Sequence, residues 1–573
     1  MTGIKPDSPT QQGRPIFFSH YLLILSTSFL LSINGQRSLA SDISNSITES
    51  DTNLPRTTFA QQSPQETPEP VAFYIRQIRV IGSTVFNEED FTPVLKEFEE
   101  RELTPEQIRA ASDAVTQLYL NQNYLNSRAV SVTPQPDNTD GILVIRVIEG
   151  RLAKIDIRGT QRVNPSYIRS RIQLANTVPL NTVKLEDQLR LLRLDPLFKN
   201  IEASIRPTGQ EGESSLVVTV EEAESFTSKL LIDNYSPVSV GGERLGLEVG
   251  YRNLTGLGDL LTGSYYRTFT GGSQVFNLSY QIPVNGMNGT LGVRVSPSST
   301  KITESPFRIL NIEGEQELYE INYRQPLWRS PREEFALSLG FTHQSGQTFL
   351  FDRLPTPFGI GPDANGVSRT SLIRFGQEYL NRDPQGVWFG RSQFNLGVGL
   401  FNATVSQDPV PDGRFFSWAG QLQRSQRLSN NHLLLIQADW QFTPNSLLAS
   451  QQFVIGGGQS VRGYRQNIRS GDYGVRFAVE DRITIQRNES GLPMIEIAPF
   501  FDLGVVRNQS GNPNPLPEQK LLVSTGLGFL WNQALGIDNL SMRLDYAIPF
   551  VDLKDRGNNV QDQGFHFSLR YQP

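Results

Sequence analysis

The chain of 573 residues contains no cysteine. That excludes a disulfide framework and thiolate chemistry, and it is compatible with a bacterial envelope protein. Histidine is scarce: His20 falls in the N-terminal segment, and His343, His432 and His566 are scattered over stretches of strand-like pattern. None has metal-ligand spacing, so no metal and no cofactor are expected, and the last three are read as surface or rim residues. A net charge of −6 gives no reason to expect nucleic-acid binding. No G-x-S-x-G elbow surrounds Ser460. Gly458 to Gly463 opens with the spacing of a phosphate loop, but Tyr464 and Arg465 stand where Lys and Ser/Thr would have to reach phosphate and Mg²⁺. No catalytic residue is assigned, and the chain is not read as an enzyme.

Long apolar runs are also missing, with one exception. Ile16 to Ile33 is preceded by Lys5 and Arg14 and followed by Ser38-Leu39-Ala40. This order of basic, apolar and small residues reads as a cleaved secretory signal over 1–40; an uncleaved anchor is the alternative. Residues 41–70 ("TTFAQQSPQETPEP" and its surroundings) are rich in Ser, Thr, Gln and Pro and read as a disordered linker. The 38% hydrophobic content would ordinarily suggest a soluble protein. Transmembrane barrels, however, place apolar residues at every second position and score as polar, so bulk composition does not decide.

What is present begins at Phe73. "FYIRQIRVIGS" alternates like a strand, and "TPEQIRAASDAVTQLYLNQ" sets Ile108, Ala111, Val115 and Leu118 on one helical face behind a Thr104 cap and Pro105. "SRAVSVTP" and "GILVIRVIEG" return to strand period. The order recurs: "RLAKIDIRGT" as a strand, "NPSYIRSRIQ" and "KLEDQLRLLRL" as helices, "IEASIRP" and "SSLVVTVEEA" as strands. Two tandem α+β domains of about 75 residues follow, placed at 71–150 and 151–224.

After Phe226 the helical period disappears. Sixteen candidate strands begin near 226, 243, 259, 273, 288, 316, 334, 368, 390, 414, 431, 472, 494, 520, 538 and 563. Tight connections ("NLTGLGD", "VNGM", "LSNN", "NESGLP") interleave with mostly longer ones. Short turns on one rim and long loops on the other suit a transmembrane barrel over 225–573. An even strand count leaves both barrel ends on the short-turn rim, beside the two small domains. A soluble all-β protein would alternate too, but here large apolar rows recur without a helix to cover them. In "MIEIAPFFDLGVV", Ile495, Ile497, Phe501, Leu503 and Val505 oppose Glu496, Ala498 and Asp502. "NLSMRLDYAIPF" and "FHFSLRY" repeat the pattern, and Glu480, Asp502 and Asp545 share the lumen side.

The long connection between the eleventh and twelfth strands holds "FVIGGGQSVRGYRQN" (453–467). Its glycines allow a sharp return, and Arg462 offers a planar charged fork for a carboxylate. Asp502, aimed into the lumen, is its expected partner.

"SVRGY" (460–464) followed by "FFDLG" (500–504) resembles the paired motifs of the outer-membrane protein-transport superfamily. "DNYSPVSVGGERLGLEVGYRNLTGLGD" and "DGILVIRVIEGRLAKIDIRGT" are similar to its two-partner secretion branch, the haemolysin secretion/activation type. The resemblance covers about residues 71 to 573. It implies two polypeptide-transport-associated (POTRA) domains before a 16-stranded antiparallel transmembrane β-barrel. It further implies Arg462, Gly463 and Tyr464 as the tip of an inward-folded loop, and Phe500, Asp502 and Gly504 as its receptor on the wall. The N-terminal plug helix common in that family finds no amphipathic period in 41–70 to support it.

The function so implied is an outer-membrane pore that takes an unfolded exoprotein, bearing an N-terminal secretion domain, from the periplasm and secretes it. The POTRA domains would lie in the periplasm, the barrel in outer-membrane lipid, and the protein would be monomeric and contact no nucleic acid. A barrel-assembly or protein-import member of the same superfamily is the alternative reading. A general solute porin, which has no use for two periplasmic domains, comes after it.

Overall fold

The computed structural model describes residues 72–132, 140–351, 353–407 and 409–573. The expected signal (1–40) and linker (41–70) lie outside the described residues, as does the question of a plug helix within 41–70.

The first unit runs β1 (Phe73–Ile75), β2 (Gln77–Ile81), α1 (Glu88–Leu95), β3 (Arg101–Leu103), α2 (Pro105–Asn121), β4 (Arg128–Ser131) and β5 (Ile142–Ile148). Thr104 and Gln107 exchange side-chain-to-backbone bonds in a capping box that starts α2, with Pro105 in the first turn. The helix buries Ile108, Ala111, Val115 and Tyr119 in a core shared with Leu143, Ile145 and Val147 of β5. Tyr119, not the expected Leu118, is the deepest residue of the last turn, because a step of four from Val115 continues the stripe. The Tyr119 hydroxyl meets Ser83 Oγ at 2.7 Å and Glu149 Oε1 at 3.0 Å, and burial raises its pKa. Helix α1 escapes a reading by period: it has eight residues, with Pro93 inside.

The second unit comprises β6 (Arg151–Arg158), α3 (Pro165–Ile172), α4 (Thr182–Arg193), β7 (Phe198–Pro207) and β8 (Glu213–Glu222). The two three-stranded sheets share a topology. Their orders are β2-β5-β4 and β6-β8-β7, and the last strand sits in the middle, parallel to the first.

Sixteen antiparallel strands then close a barrel. They are Phe226–Asp233, Arg244–Arg252, Leu260–Thr268, Ser273–Pro283, Thr290–Lys301, Glu313–Arg329, Glu333–Leu350, Val367–Asp383, Gly386–Val398, Phe416–Arg427, His432–Phe442, Tyr473–Arg487, Pro493–Arg507, Leu521–Asn532, Leu540–Pro549 and Phe565–Tyr571. Each starts within four residues of its expected position. A two-residue strand, Leu354–Pro355, is added on the outer extension of the seventh. The sixteenth pairs with the first from Ser568↔Asp233 to Tyr571↔Leu230, and this seam abolishes the sheet edge. Asn234 prolongs it: its side chain donates to Phe565 O at 2.9 Å and accepts from Phe567 N at 2.9 Å.

Alternation places Leu245, Leu247, Val249 and Tyr251 outward, while Gly246 and Gly250 between them are buried. With no water in a bilayer core, a closed barrel satisfies every backbone group while showing apolar side chains to lipid. The second α+β unit meets the short-turn rim. Asn164 N donates to Gly256 O at 2.8 Å, and Arg171 Nη2 donates to Asn288 Oδ1 at 2.9 Å. Gly258 has φ +80°, and a Cβ there would stand 2.3 Å from the Tyr167 ring, so this glycine lets the turn reach α3.

Candidate functional site

The connection between the eleventh and twelfth strands does not extend outward. Phe453–Ile455 pairs with Arg469–Gly471 as a small hairpin, and the residues between descend into the lumen. The turn needs left-handed backbone at Gly456 (φ +105°), Gly457 (φ +98°) and Gly463 (φ +87°). Phe453, Ile455, Val461 and Tyr464 form an apolar cluster with Val506, Leu522 and Leu553. The inserted loop thus carries its own core against the wall.

Arg462, at 1% exposure, is the largest of the fully buried side chains among the described residues. Its Nε and Nη2 donate to Asp502 Oδ2 and Oδ1 at 2.6 and 2.7 Å, and its backbone N–H reaches Oδ2 at 3.1 Å. Its Nη1 donates to Glu480 Oε2 at 2.6 Å. The guanidinium lies 3.3 Å over the centre of the Phe500 ring. Asp502 and Asp545 are both fully buried. Arg543 donates to Asp545 Oδ2 at 2.7 Å and to Glu480 Oε2 at 2.8 Å, and Arg482 Nε to Glu480 Oε1 at 3.0 Å. Three guanidinium groups therefore face three carboxylates. Buried charges persist only when paired and hydrogen-bonded in this way.

The remaining motif residues shape the contact. Tyr464 donates its hydroxyl to Val523 O at 2.8 Å on the fourteenth strand. A Cβ on Gly504 would stand 2.8 Å from Val461 and 3.1 Å from Ile455, so a glycine in the wall leaves room for the loop core. Gly463 N donates to His566 Nε2 at 3.0 Å, and His566 is fully buried. This corrects the surface-or-rim reading of His566. Alternation in "FHFSLRY" did turn the residue inward, but nothing in the sequence showed that a loop from a hundred residues upstream would cover it. His343 meets Ser371 Oγ at 3.0 Å and His432 meets Asp481 at 2.8 Å; both are partly exposed.

Above the tip the loop is tied to its neighbours. Arg465 Nε reaches Asp562 at 2.9 Å, and Arg469 grips Asp555 at 2.7 and 2.8 Å. Asp472 accepts from the backbone of Leu447 (2.9 Å) and Gln509 (2.8 Å). Asp555 lies in the last outer loop, and the hydrogen bond from Arg469 holds its carboxyl below the usual range. None of these anchors was legible in the sequence. Among the described residues, no cluster of His, Cys, Asp or Glu has the arrangement of a metal site.

The comparisons agree with the barrel and the domains before it. The family described as haemolysin secretion/activation protein ShlB/FhaC/HecB matches residues 212–530, and a ShlB-type POTRA domain matches 73–150. The heme/hemopexin transporter protein HuxB of Haemophilus influenzae is 22% identical over 492 residues, spanning 83% of this chain and 82% of its own. The outer membrane transporter CdiB of Dickeya dadantii is 24% identical over 424 residues, 71% of this chain and 72% of its own. Among solved structures, CdiB from Escherichia coli superposes with a TM-score of 0.68 at 20% identity, covering 91% of this chain and 93% of that one. BamA from Haemophilus ducreyi lacking POTRA domains 1–3 gives 0.51 at 15% identity, covering 87% and 100%, which is a likeness of fold. With a closed 16-stranded barrel, POTRA domains before it and a family match over more than half its length, the chain belongs to the haemolysin secretion/activation family, the outer-membrane transporters of two-partner secretion, whose POTRA domains lie in the periplasm.

Proposed function

We propose that the loop bearing Arg462 is the gate of a passive polypeptide conduit, and that Arg462 and Asp502 are its latch. The observation that carries this reading is the complete burial of a bidentate pair between an inserted loop and the barrel wall. Gly463 and Tyr464 shape the tip; Phe500 and Gly504 shape the receiving strand. A barrel of sixteen strands is wide enough for a wet lumen, so withdrawing the loop opens a path for an extended chain.

The client in this reading is a large exoprotein that arrives unfolded, led by an N-terminal secretion domain. The periplasmic sheets offer β2, β4, β6 and β7 as edges for strand addition. The domains divide as POTRA units at 71–150 and 151–224 and a barrel at 225–573, working as a monomer in outer-membrane lipid and without catalysis. Folding of the client outside the cell biases the direction.

The test is secretion by cells carrying Arg462→Ala or Asp502→Ala. Both variants should assemble in the outer membrane, yet release much less exoprotein into the medium. Normal secretion by both would mean that the pair only stiffens the barrel. Broad loss of other outer-membrane proteins on deletion of this chain would point to barrel assembly.

A further inference from the structure

The outer face of the barrel carries a polar row that the chain covers with one of its own loops. On the seventh and eighth strands even-numbered residues face the lumen, where Gln344 and Thr370 meet Gln451 of the inserted connection, so odd-numbered ones face outward. Register aligns Tyr319, His343, Ser371 and Val398 across the sixth to ninth strands. The row beneath is apolar throughout: Ile321, Phe341, Ile373 and Leu396. The row above, Glu317, Ser345 and Arg369, is polar or charged. The outer boundary of the apolar band therefore passes through the His343 row, and Tyr319 supplies the aromatic residue typical of such a boundary.

At this level the connection after the ninth strand folds back over the outside of the wall. Ser371, fully buried, donates its hydroxyl to Leu400 O at 2.8 Å, and His343 Nδ1 stands 3.0 Å from the same hydroxyl. The fold-back needs left-handed backbone at Phe401 (φ +54°) and Asn402 (φ +56°), a conformation that phenylalanine seldom adopts. It lays the Phe401 ring beside Phe341 and His343, at 5.6 and 5.8 Å between ring centres. Thr404 returns the chain to the rim: its N–H donates to Arg369 O at 2.9 Å, and its hydroxyl accepts from Arg369 N at 2.9 Å. Inside the rim the same connection turns Phe415 against Leu372 and Leu447, the latter near the start of the segment that enters the lumen. Leu400 and Phe401 nevertheless stay 53% and 66% exposed. A strained turn that leaves two large apolar side chains uncovered by protein is stable where an apolar medium takes them up.

We propose that Leu400 and Phe401 form a hook that embeds in the acyl chains of the outer leaflet, just below the headgroups. The occupant is lipid because the hook sits on Phe341 and so continues the lipid-facing row of Phe341, Ile373 and Leu396, while the polar row that marks the headgroup level stands immediately above. The inference rests on the reading of the barrel as lying in outer-membrane lipid. It does not depend on the latch.

The chain has no cysteine, so Phe401→Cys accepts a single environment-sensitive fluorophore. Two further sites calibrate it: Leu339→Cys, on the outward face of the seventh strand four residues below His343, and Ile309→Cys, exposed in the outer loop between the fifth and sixth strands. The test is quenching of each labelled full-length chain in phosphatidylcholine vesicles, by a nitroxide near the head of the acyl chain and by aqueous iodide. The nitroxide should quench the label at 401 at least about twofold, as it does at 339, and iodide should quench it at least about threefold less than the label at 309. Should Phe401→Cys fail to assemble, Leu400→Cys must give the same pattern. A label at 401 that iodide reaches and the nitroxide does not overturns the proposal. So does one shielded from both, which would mean that a second copy or another protein covers the hook. Quenching by the nitroxide at 339 but not at 401 removes the hook alone, whereas its failure at 339 removes the membrane reading as well.

Discussion

Gly463 donates its backbone N–H to Nε2 of His566 across 3.0 Å, so the loop tip hangs from the last barrel strand as well as from Asp502 on the thirteenth. Only a neutral imidazole with its proton on Nδ1 can accept there. His566→Ala leaves a buried N–H unpaired at a cost of about 1–3 kcal/mol, on the order of tenfold in the closed-to-open ratio. Planar-bilayer recordings of His566→Ala should show correspondingly more frequent spontaneous openings. His566→Gln, whose amide oxygen also accepts, should stay near wild type. Wild-type behaviour of both variants would show that the contact restrains nothing.

Arg462→Ala leaves Asp502 and Glu480 facing an empty site in a buried network, a loss of about 3–5 kcal/mol. The double variant Arg462→Ala/Asp502→Ala should recover part of that, because it removes the stranded carboxylate too. Denaturant unfolding of the folded barrel, followed by its shifted gel migration, measures the cycle. Strict additivity of the two single changes would refute a direct coupling.

Gly504→Val places its side chain where Val461 and Ile455 already stand, 2.8 and 3.1 Å from a Cβ. Overpacking of this kind costs about 1–3 kcal/mol, and the loop, held by fewer backbone bonds than the wall, is what moves. Residues 453–471 should become sensitive to protease added outside intact cells. An uncut loop would mean that the wall yields instead.

Glu222 closes the second POTRA unit by accepting the backbone N–H groups of Gln161 (2.8 Å), Arg162 (2.9 Å) and Val163 (2.8 Å). Burial pushes its pKa up, but the three N–H donors outweigh that and hold it below the ordinary 4.5. A folded value lower than the unfolded one means stability that is complete above 4.5 and is lost as pH falls through the folded value. Limited proteolysis of the full chain should show the periplasmic part loosening in that acid range. Glu222→Gln should be looser at neutral pH and show less further change on acidification.

The elements with a clear period were readable from the chain. The sixteen strands start within four residues of where two-residue alternation puts them, because a wall with lipid on one side and water on the other forces that alternation at every strand. Thr104 and Pro105 likewise announced α2, since a cap and a first-turn proline act over a few residues. The short α1 and β3 left no comparable trace: eight and three residues are too few for a period to show.

The site divides in the same way. Sequence alone turned Glu480, Asp502, Asp545 and His566 toward one lumen, since inward orientation is a matter of parity along each strand; Arg462, on a loop, has no such parity. Tertiary structure decided which of them touch. The loop's depth of insertion, set by an apolar cluster and by the space Gly504 leaves, puts Arg462 against two carboxylates and Gly463 against His566. In the facing wall Arg324 of the sixth strand meets Glu334 of the seventh and Glu378 of the eighth, both at 2.7 Å, only because strand register aligns them, and register is a property of the closed sheet rather than of any segment of it.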